Sequence, residues 1–196
     1  VPPGSEGFEF IDSKGVTWVH PGYKGTPERW KKGTEPKKIS WYAGLQYDGD
    51  VARAKKVLSE LDKYYPGAKE YEVAGFFWWQ GDKDRYNTAH SAMYGKNLGQ
   101  LFKALRKDFN APQAKMVVAT LGQTNKDNAT GNEKMIIEGM FAFADANKGE
   151  ATILYTHTLS MGGASNGHYG KNAKTYMNVG LGMGKLMVEL LSAGEK

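Results

Sequence analysis

A three-layer α/β/α sandwich around a parallel sheet is the architecture this sequence predicts, and three observations predict it. Three near-continuous apolar runs have strand length: Val73–Trp79, Lys115–Leu121 and Ala151–Thr156. Amphipathic patterns of helical period separate them and follow the last. Strands alternating with helices imply parallel pairing, with helices covering both faces.

Each element has its own signal. Residues 1–48 read as an irregular surface excursion rich in Gly, Pro, Lys and Trp, punctuated by Pro21, Pro27 and Pro36, with strand-like pieces such as Gly15–Val19. Its tryptophans, Trp18, Trp30 and Trp41, either contact substrate or pin the loop to a core. Residues 49–196 are regular, and the whole chain, 1–196, is expected to be a single domain. Val51, Ala54, Leu58, Leu61 and Tyr65 recur at helical spacing before Pro66-Gly67 ends the run. Val73–Trp79 suits a central strand covered on both faces. Tyr94, Leu98, Leu101, Leu105 and Phe109 mark a second helix, and Ile136, Ile137, Met140, Phe141 and Ala144 a third. The final helix shows Ala173, Tyr176, Gly180, Met183, Met187 and Leu190 on one face, its glycines allowing close approach to the sheet.

Composition removes several classes of function. The 196 residues are 40% apolar and 24% charged, which is ordinary for a folded domain. The net charge of +5 comes from lysines scattered among Glu and Asp, as at Lys55, Lys56 and Glu60, without a basic block interleaved with aromatics. Nucleic acid is therefore not an expected partner. Absence of cysteine excludes disulfides, zinc–thiolate sites and a cysteine nucleophile, and leaves the compartment undetermined. No run is long enough to span a membrane. The first residues, Val1-Pro2-Pro3-Gly4-Ser5, have neither the basic start nor the apolar core of a signal peptide, and lack an initiating methionine, so the chain is expected to begin at a processing boundary.

In open parallel sheets the ligand site lies beyond the carboxyl ends of the strands, and three polar clusters fall there. The first run ends in Trp79-Gln80-Gly81-Asp82-Lys83-Asp84, the second in Gly122-Gln123-Thr124-Asn125, and the third at His157 before a Gly-rich loop running to Asn166-Gly167-His168-Tyr169. A side-chain amide such as Gln80 at a buried strand end can donate to a developing oxyanion, or else satisfy loop backbone groups. Asp82 and Asp84 can orient a base or lock the loop; beside Lys83 and Arg85 they read as an ion-paired turn rather than a metal site. Of the four histidines, His20 and His90 read as surface residues and His157 as a structural or supporting donor. His168, following the Gly-rich loop, is the candidate general base.

The block Gly75-Phe76-Phe77-Trp78-Trp79-Gln80-Gly81-Asp82 resembles the Trp-x-Gln-Gly-Glu/Asp block of the sialate O-acetylesterase-like carbohydrate acetylesterases, a branch of the SGNH hydrolases. Tyr94–Leu98, Arg106–Phe109, Ala111-Pro112 and Val117-Val118 are similar to the family's following helix and strand, and Asn166-Gly167-His168-Tyr169 to its histidine block. The similarity spans roughly residues 40–192. It implies an SGNH, flavodoxin-like sandwich and hydrolysis of a carbohydrate O-acetyl ester by a serine–histidine pair. His168 would be the base and Gln80 an oxyanion or positioning donor; Asp82, Asp84, Trp79, Asn166 and Gln123 would bind substrate or orient the pair. No cofactor or metal is implied, the substrate is an acetylated carbohydrate, and export to the periplasm or medium is suggested by analogy.

Two departures accompany the resemblance. The family's serine sits on a Gly-Gln-Ser-Asn loop after its first strand, and no serine here has that setting, so strand and serine are expected upstream of Val1, in an N-terminal fragment acting as partner. The aspartate usually three residues before the histidine is Ser165, leaving Asp82, Asp84, Asn166 or a backbone carbonyl to orient the ring. Besides the esterase, two other readings stay open. One is a non-catalytic carbohydrate-binding relative; the other is an assembly protein whose sheet edge accepts a partner strand.

Overall fold

The computed structural model describes residues 7–21, 27–36, 42, 44–161 and 167–193. The chain divides into two compact units, residues 1–72 with 100–111, and residues 73–99 with 112–196.

The first unit carries a small antiparallel meander where the sequence reads as irregular. Strands β1 (Phe8–Ile11), β2 (Thr17–His20) and β3 (Trp30–Lys31) pair in that order, with Phe8 opposite His20 and Ile11 opposite Thr17. Runs of two to four residues are too short for alternation to stand out against the surrounding Gly and Pro. The β1–β2 turn is held by the Asp12 carboxylate, which accepts from the Lys14 and Val16 amides and from the Trp18 indole, each at 2.9 Å. These bonds, the Trp18 one foremost, hold the Asp12 carboxyl below its usual range. Trp18, with Arg29 over its ring at 4.8 Å, thus pins its own turn. Trp41 lies outside the described residues. His20 is a correction: it is buried and stacked on Phe8 at 4.6 Å, because the register sets the two rings opposite one another.

Helix α1 (Leu45–Ser59) starts after Gly44, whose φ of 92° suits glycine, and Glu60 separates it from the short α2 (Leu61–Tyr64). The expected single helix is therefore two. The Tyr47 hydroxyl donates to Asp108 at 2.6 Å, tying α1 to the end of α3 (Thr88–Asp108).

The second unit is the parallel sheet, β4 (Gly75–Trp78), β5 (Lys115–Ala119) and β6 (Ala151–Leu154), in that order. Phe76 is level with Met116, and Met116 with Ala151. Helices α4 (Gly131–Ala146) and α6 (Ala173–Ala193) complete it, with the short turn α5 (His168–Lys171) before α6. Alternation along β4 identifies the two faces. A Cβ at Gly75 would collide with the Met187 side chain of α6, whereas the Trp78 indole, of opposite parity, meets the Tyr94 hydroxyl of α3 at 3.3 Å. On that second face α3 crosses α4 at a glycine pair, where a Cβ on Gly95 would lie 2.8 Å from the Gly139 carbonyl oxygen. The sheet is covered on both faces, the predicted α/β/α sandwich.

On the α6 face Val117, Ala119, Val179, Met183 and Met187 form a buried cluster, joined by Trp79 and Leu154. Two side-chain expectations are corrected here. α4 buries Phe143 and leaves Phe141 37% exposed. α6 buries Thr175, Val179, Met183 and Met187, not a stripe through Ala173 and Gly180. The glycine that allows close approach is Gly182, against the Leu154 side chain; Gly180 and Gly184 face open space. The expectation of a central β4 also fails among the described strands. β4 pairs with β5 alone, and Phe77 is 55% exposed.

Candidate functional site

The carboxyl end of β4 is fixed by its neighbours. The Trp79 indole donates to the Thr120 carbonyl at 3.0 Å, and the Tyr94 hydroxyl donates to the Gln80 carbonyl at 2.7 Å. Burial holds the Tyr94 phenol well above its ordinary range, so it remains a neutral donor. The Gln80 side-chain amide donates to the Asp84 carboxylate at 2.7 Å. Asp82 instead serves Arg85, whose Nε donates to it at 2.8 Å while Nη1 reaches Glu133 at 3.2 Å. Burial opposes the charge on Arg85, but Asp82, followed by Tyr86 and Glu133, outweighs it and raises its pKa. The Asn132 side-chain amide closes this knot on the Arg85 carbonyl at 2.8 Å. The expected ion-paired turn is therefore present, with Asp82 as its carboxylate and Asp84 reserved for Gln80.

Beyond the ladder, β5 and β6 are stapled by two buried threonines. The Thr156 amide donates to the Thr120 hydroxyl at 3.0 Å, and the Thr156 hydroxyl to the Thr120 carbonyl at 2.6 Å. Two residues on, Gly122 is the junction of the rim. Its carbonyl lies 2.9 Å from His157 Nδ1, and its amide donates to the Tyr169 hydroxyl at 3.2 Å. His157 is accordingly tied to the segment following β5, and Gln123, next to Gly122 in sequence, is half-buried.

The segment carrying His168 has an unusual backbone. His168, Tyr169, Gly170 and Lys171 have φ of 51°, 50°, 64° and 60°, four consecutive residues in the left-handed region. Such a turn costs about 1–2 kcal/mol for each residue that is not glycine, so it needs support from its surroundings. Tyr169 provides contacts of the right kind. It is 4% exposed, stacks on Trp79 with ring centroids 5.4 Å apart, and meets the Tyr176 ring edge-on at 5.9 Å. His168 itself is exposed.

The Trp79–Tyr169 stack therefore brings together the strand end bearing Gln80 and the turn bearing His168. Asp84 joins Gln80 directly, whereas Asp82 is turned toward Arg85 and Glu133. Asn166 and Ser165 lie outside the described residues. Among the described residues no cluster of three or more His, Asp or Glu could hold a metal ion, and no helix is long and apolar enough to cross a membrane. Sequence reasoning gave no role to Gly122, Tyr94 or Tyr169. The one available signal was an aromatic directly after the histidine in a glycine-flanked segment.

Comparison with known proteins bears on these residues. The family of carbohydrate esterases described as sialic acid-specific acetylesterases matches residues 18–187, a span that includes both the Trp-Gln-Gly block and His168. No curated protein matches. A crystal structure of an Arabidopsis thaliana protein shares 20% identity with a TM-score of 0.49, covering 76% of this chain and 52% of its own. This chain thus spans about half the length of that protein. With most of its length matched, from the meander to the last helix, the chain belongs to the sialic acid-specific acetylesterase family of carbohydrate esterases.

Proposed function

We propose that this chain forms the histidine-bearing part of an esterase that removes acetyl groups from O-acetylated carbohydrates. The observation that carries the reading is the Trp79–Tyr169 stack, which packs the Gln80 strand end against the His168 turn. In this reading His168 takes the proton of a serine hydroxyl as its oxygen attacks the ester carbonyl, then returns it to the departing sugar oxygen. A carboxamide nitrogen carries two N–H groups; Asp84 accepts one from Gln80, and the other is directed at the oxyanion. Water then cleaves the acetyl-enzyme by the same proton path, releasing acetate.

The serine comes, in this reading, from a segment outside this sequence. Two features support that source. The Ser91 hydroxyl is committed to the Asp84 and Asn87 carbonyls, and Ser59 to the Lys56 carbonyl, so neither is a free nucleophile. The edge of β4 is unpaired among the described strands, and on the adjoining α6 the residues Met177, Leu181 and Val188 are exposed beside the open Gly180 and Gly184. A strand followed by a helix would satisfy both surfaces at once.

The test is hydrolysis of p-nitrophenyl acetate and of an O-acetylated sugar by the protein with its upstream segment, by this chain alone, and by the longer protein bearing His168→Ala. The reading expects turnover in the first and at least a thousandfold less in the other two. Undiminished turnover in His168→Ala would overturn it.

A further inference from the structure

We propose that Tyr169 is the positioning residue of the histidine site, its ring holding the left-handed turn from which His168 projects. The inference rests on the esterase reading for what His168 does, though not for what Tyr169 does to His168.

Three contacts converge on this one side chain. Its face stacks on Trp79, nearly parallel at 18°, and Trp79 is anchored in turn through its indole to the Thr120 carbonyl. Its hydroxyl oxygen accepts the Gly122 amide at the end of β5. Its edge meets Tyr176, in the first turn of α6. The ring is thus registered against β4, β5 and α6, the rigid elements of the unit. His168 is attached to it by a single peptide unit, so placing the Tyr169 backbone limits where the imidazole can go.

The backbone explains why an anchor is needed. Three of the four residues in the turn are not glycine and would relax to negative φ if nothing opposed it. The hydrogen bonds within the turn do not fix its place on the sheet. Tyr169 is the buried residue of the turn, while His168, Gly170 and Lys171 are exposed. Gly122 completes the fit, since a Cβ there would stand 2.8 Å from Tyr169 Cε1, within the ring's own space. The tyrosine is also neutral, because burial raises its phenol pKa, so it adds no charge beside the imidazole.

Two variants divide the contacts. Tyr169→Phe keeps the stack and deletes the oxygen that meets Gly122; Tyr169→Leu deletes the ring. In this chain, labelled with carbon-13 at histidine Cε1, the His168 signal is identified by its loss in His168→Ala. The proposal expects Tyr169→Leu to move that signal to the chemical shift of a histidine in an unstructured peptide, with His20 and His90 unchanged. Tyr169→Phe should move it part of the way. If Tyr169→Leu fails to fold, Tyr169→Phe decides. A His168 signal identical to wild type in the folded variant would overturn the proposal.

Activity of the longer, serine-containing protein supplies a second readout. Tyr169→Phe should lower kcat about tenfold and Tyr169→Leu about a hundredfold, with KM changed less than about twofold. A residue of purely structural importance would lower the melting temperature without this split. Wild-type kcat in Tyr169→Leu, alongside an inactive His168→Ala, sinks the Tyr169 proposal and leaves the esterase reading standing. Absence of any His168-dependent hydrolysis sinks the esterase reading, and the ring-carbon spectrum then judges Tyr169 by itself.

Discussion

The Gln80 side-chain nitrogen lies 2.7 Å from an Asp84 carboxylate oxygen, four residues along the same rim. A carboxylate only accepts hydrogen bonds, so this contact fixes which end of the amide faces it. The Gln80 oxygen is left toward the Tyr94 hydroxyl at 3.4 Å, and the orientation of the second N–H follows. In the proposed reaction that N–H serves the oxyanion. Gln80→Ala should then reduce kcat of the serine-containing esterase by about a hundredfold, with little change in KM. Steady-state kinetics on p-nitrophenyl acetate checks this; a defect confined to KM would assign Gln80 to substrate positioning instead.

Asp84 acts on the reaction only through Gln80 in this scheme, which gives it a distinct mutational signature. Asp84→Asn keeps an acceptor oxygen at the same place and should retain most of the wild-type kcat. Asp84→Ala removes the acceptor, frees the amide to rotate, and should cost about tenfold in kcat. Combining Asp84→Ala with Gln80→Ala should cost no more than Gln80→Ala alone, because the two residues form one unit. Fully multiplicative losses would show that Asp84 works by another route.

The order of elements was legible in the sequence, because buried parallel strands are continuous apolar runs and the helices between them keep their period. What failed was which side of an element meets what. Phe141 and Phe143 both sit on α4 among apolar residues, and only the glycine crossing with α3 decides that Phe143 is buried. The stripe on α6 was misplaced because its apolar arc is wider than the sheet requires, with Met177, Leu181 and Val188 left exposed. β4 read as central because a strand of the sequence Gly-Phe-Phe-Trp has the same composition whether or not a neighbour occupies its outer edge. At the site, strand-end geometry drew attention to Gln80, Asp84 and His168. The role of Tyr169 could not be read, since three non-glycine residues with positive φ leave no compositional mark.

Gly122 offers a test of packing that needs no substrate. A Cβ at this position would come within 2.8 Å of Tyr169 Cε1 and 2.9 Å of the Ser160 Cβ. Neither neighbour can retreat freely, the ring being stacked on Trp79 and the Ser160 amide bonded to the Thr156 carbonyl at 2.9 Å. Gly122→Ala should therefore destabilise the chain by about 1–3 kcal/mol, the usual range for overpacking. For a chain of this size that is a fall in melting temperature of roughly 2–12 °C. Gly180→Ala, which has open space around it, is the control and should leave the midpoint unchanged or slightly raised. Equal effects at the two positions would mean that the rim is looser than the stack implies.

The tyrosines predict how the fold responds to alkali. Burial raises the phenol pKa of both Tyr94 and Tyr169 above the ordinary value of 10.0. A raised pKa means that above about pH 10 the folded chain keeps protons that the unfolded chain has released. The unfolded state then binds fewer protons, so stability falls as pH rises. Their contribution is intact below pH 10 and is lost progressively above it. Denaturant midpoints should be flat from pH 7 to about 9.5 and decline beyond. Tyr94→Phe should flatten the decline, since it removes the phenol with the larger upward shift, at the expense of the hydroxyl's bond to the Gln80 carbonyl. If the wild-type midpoint instead held constant through pH 11, the phenols would be less buried than their packing requires.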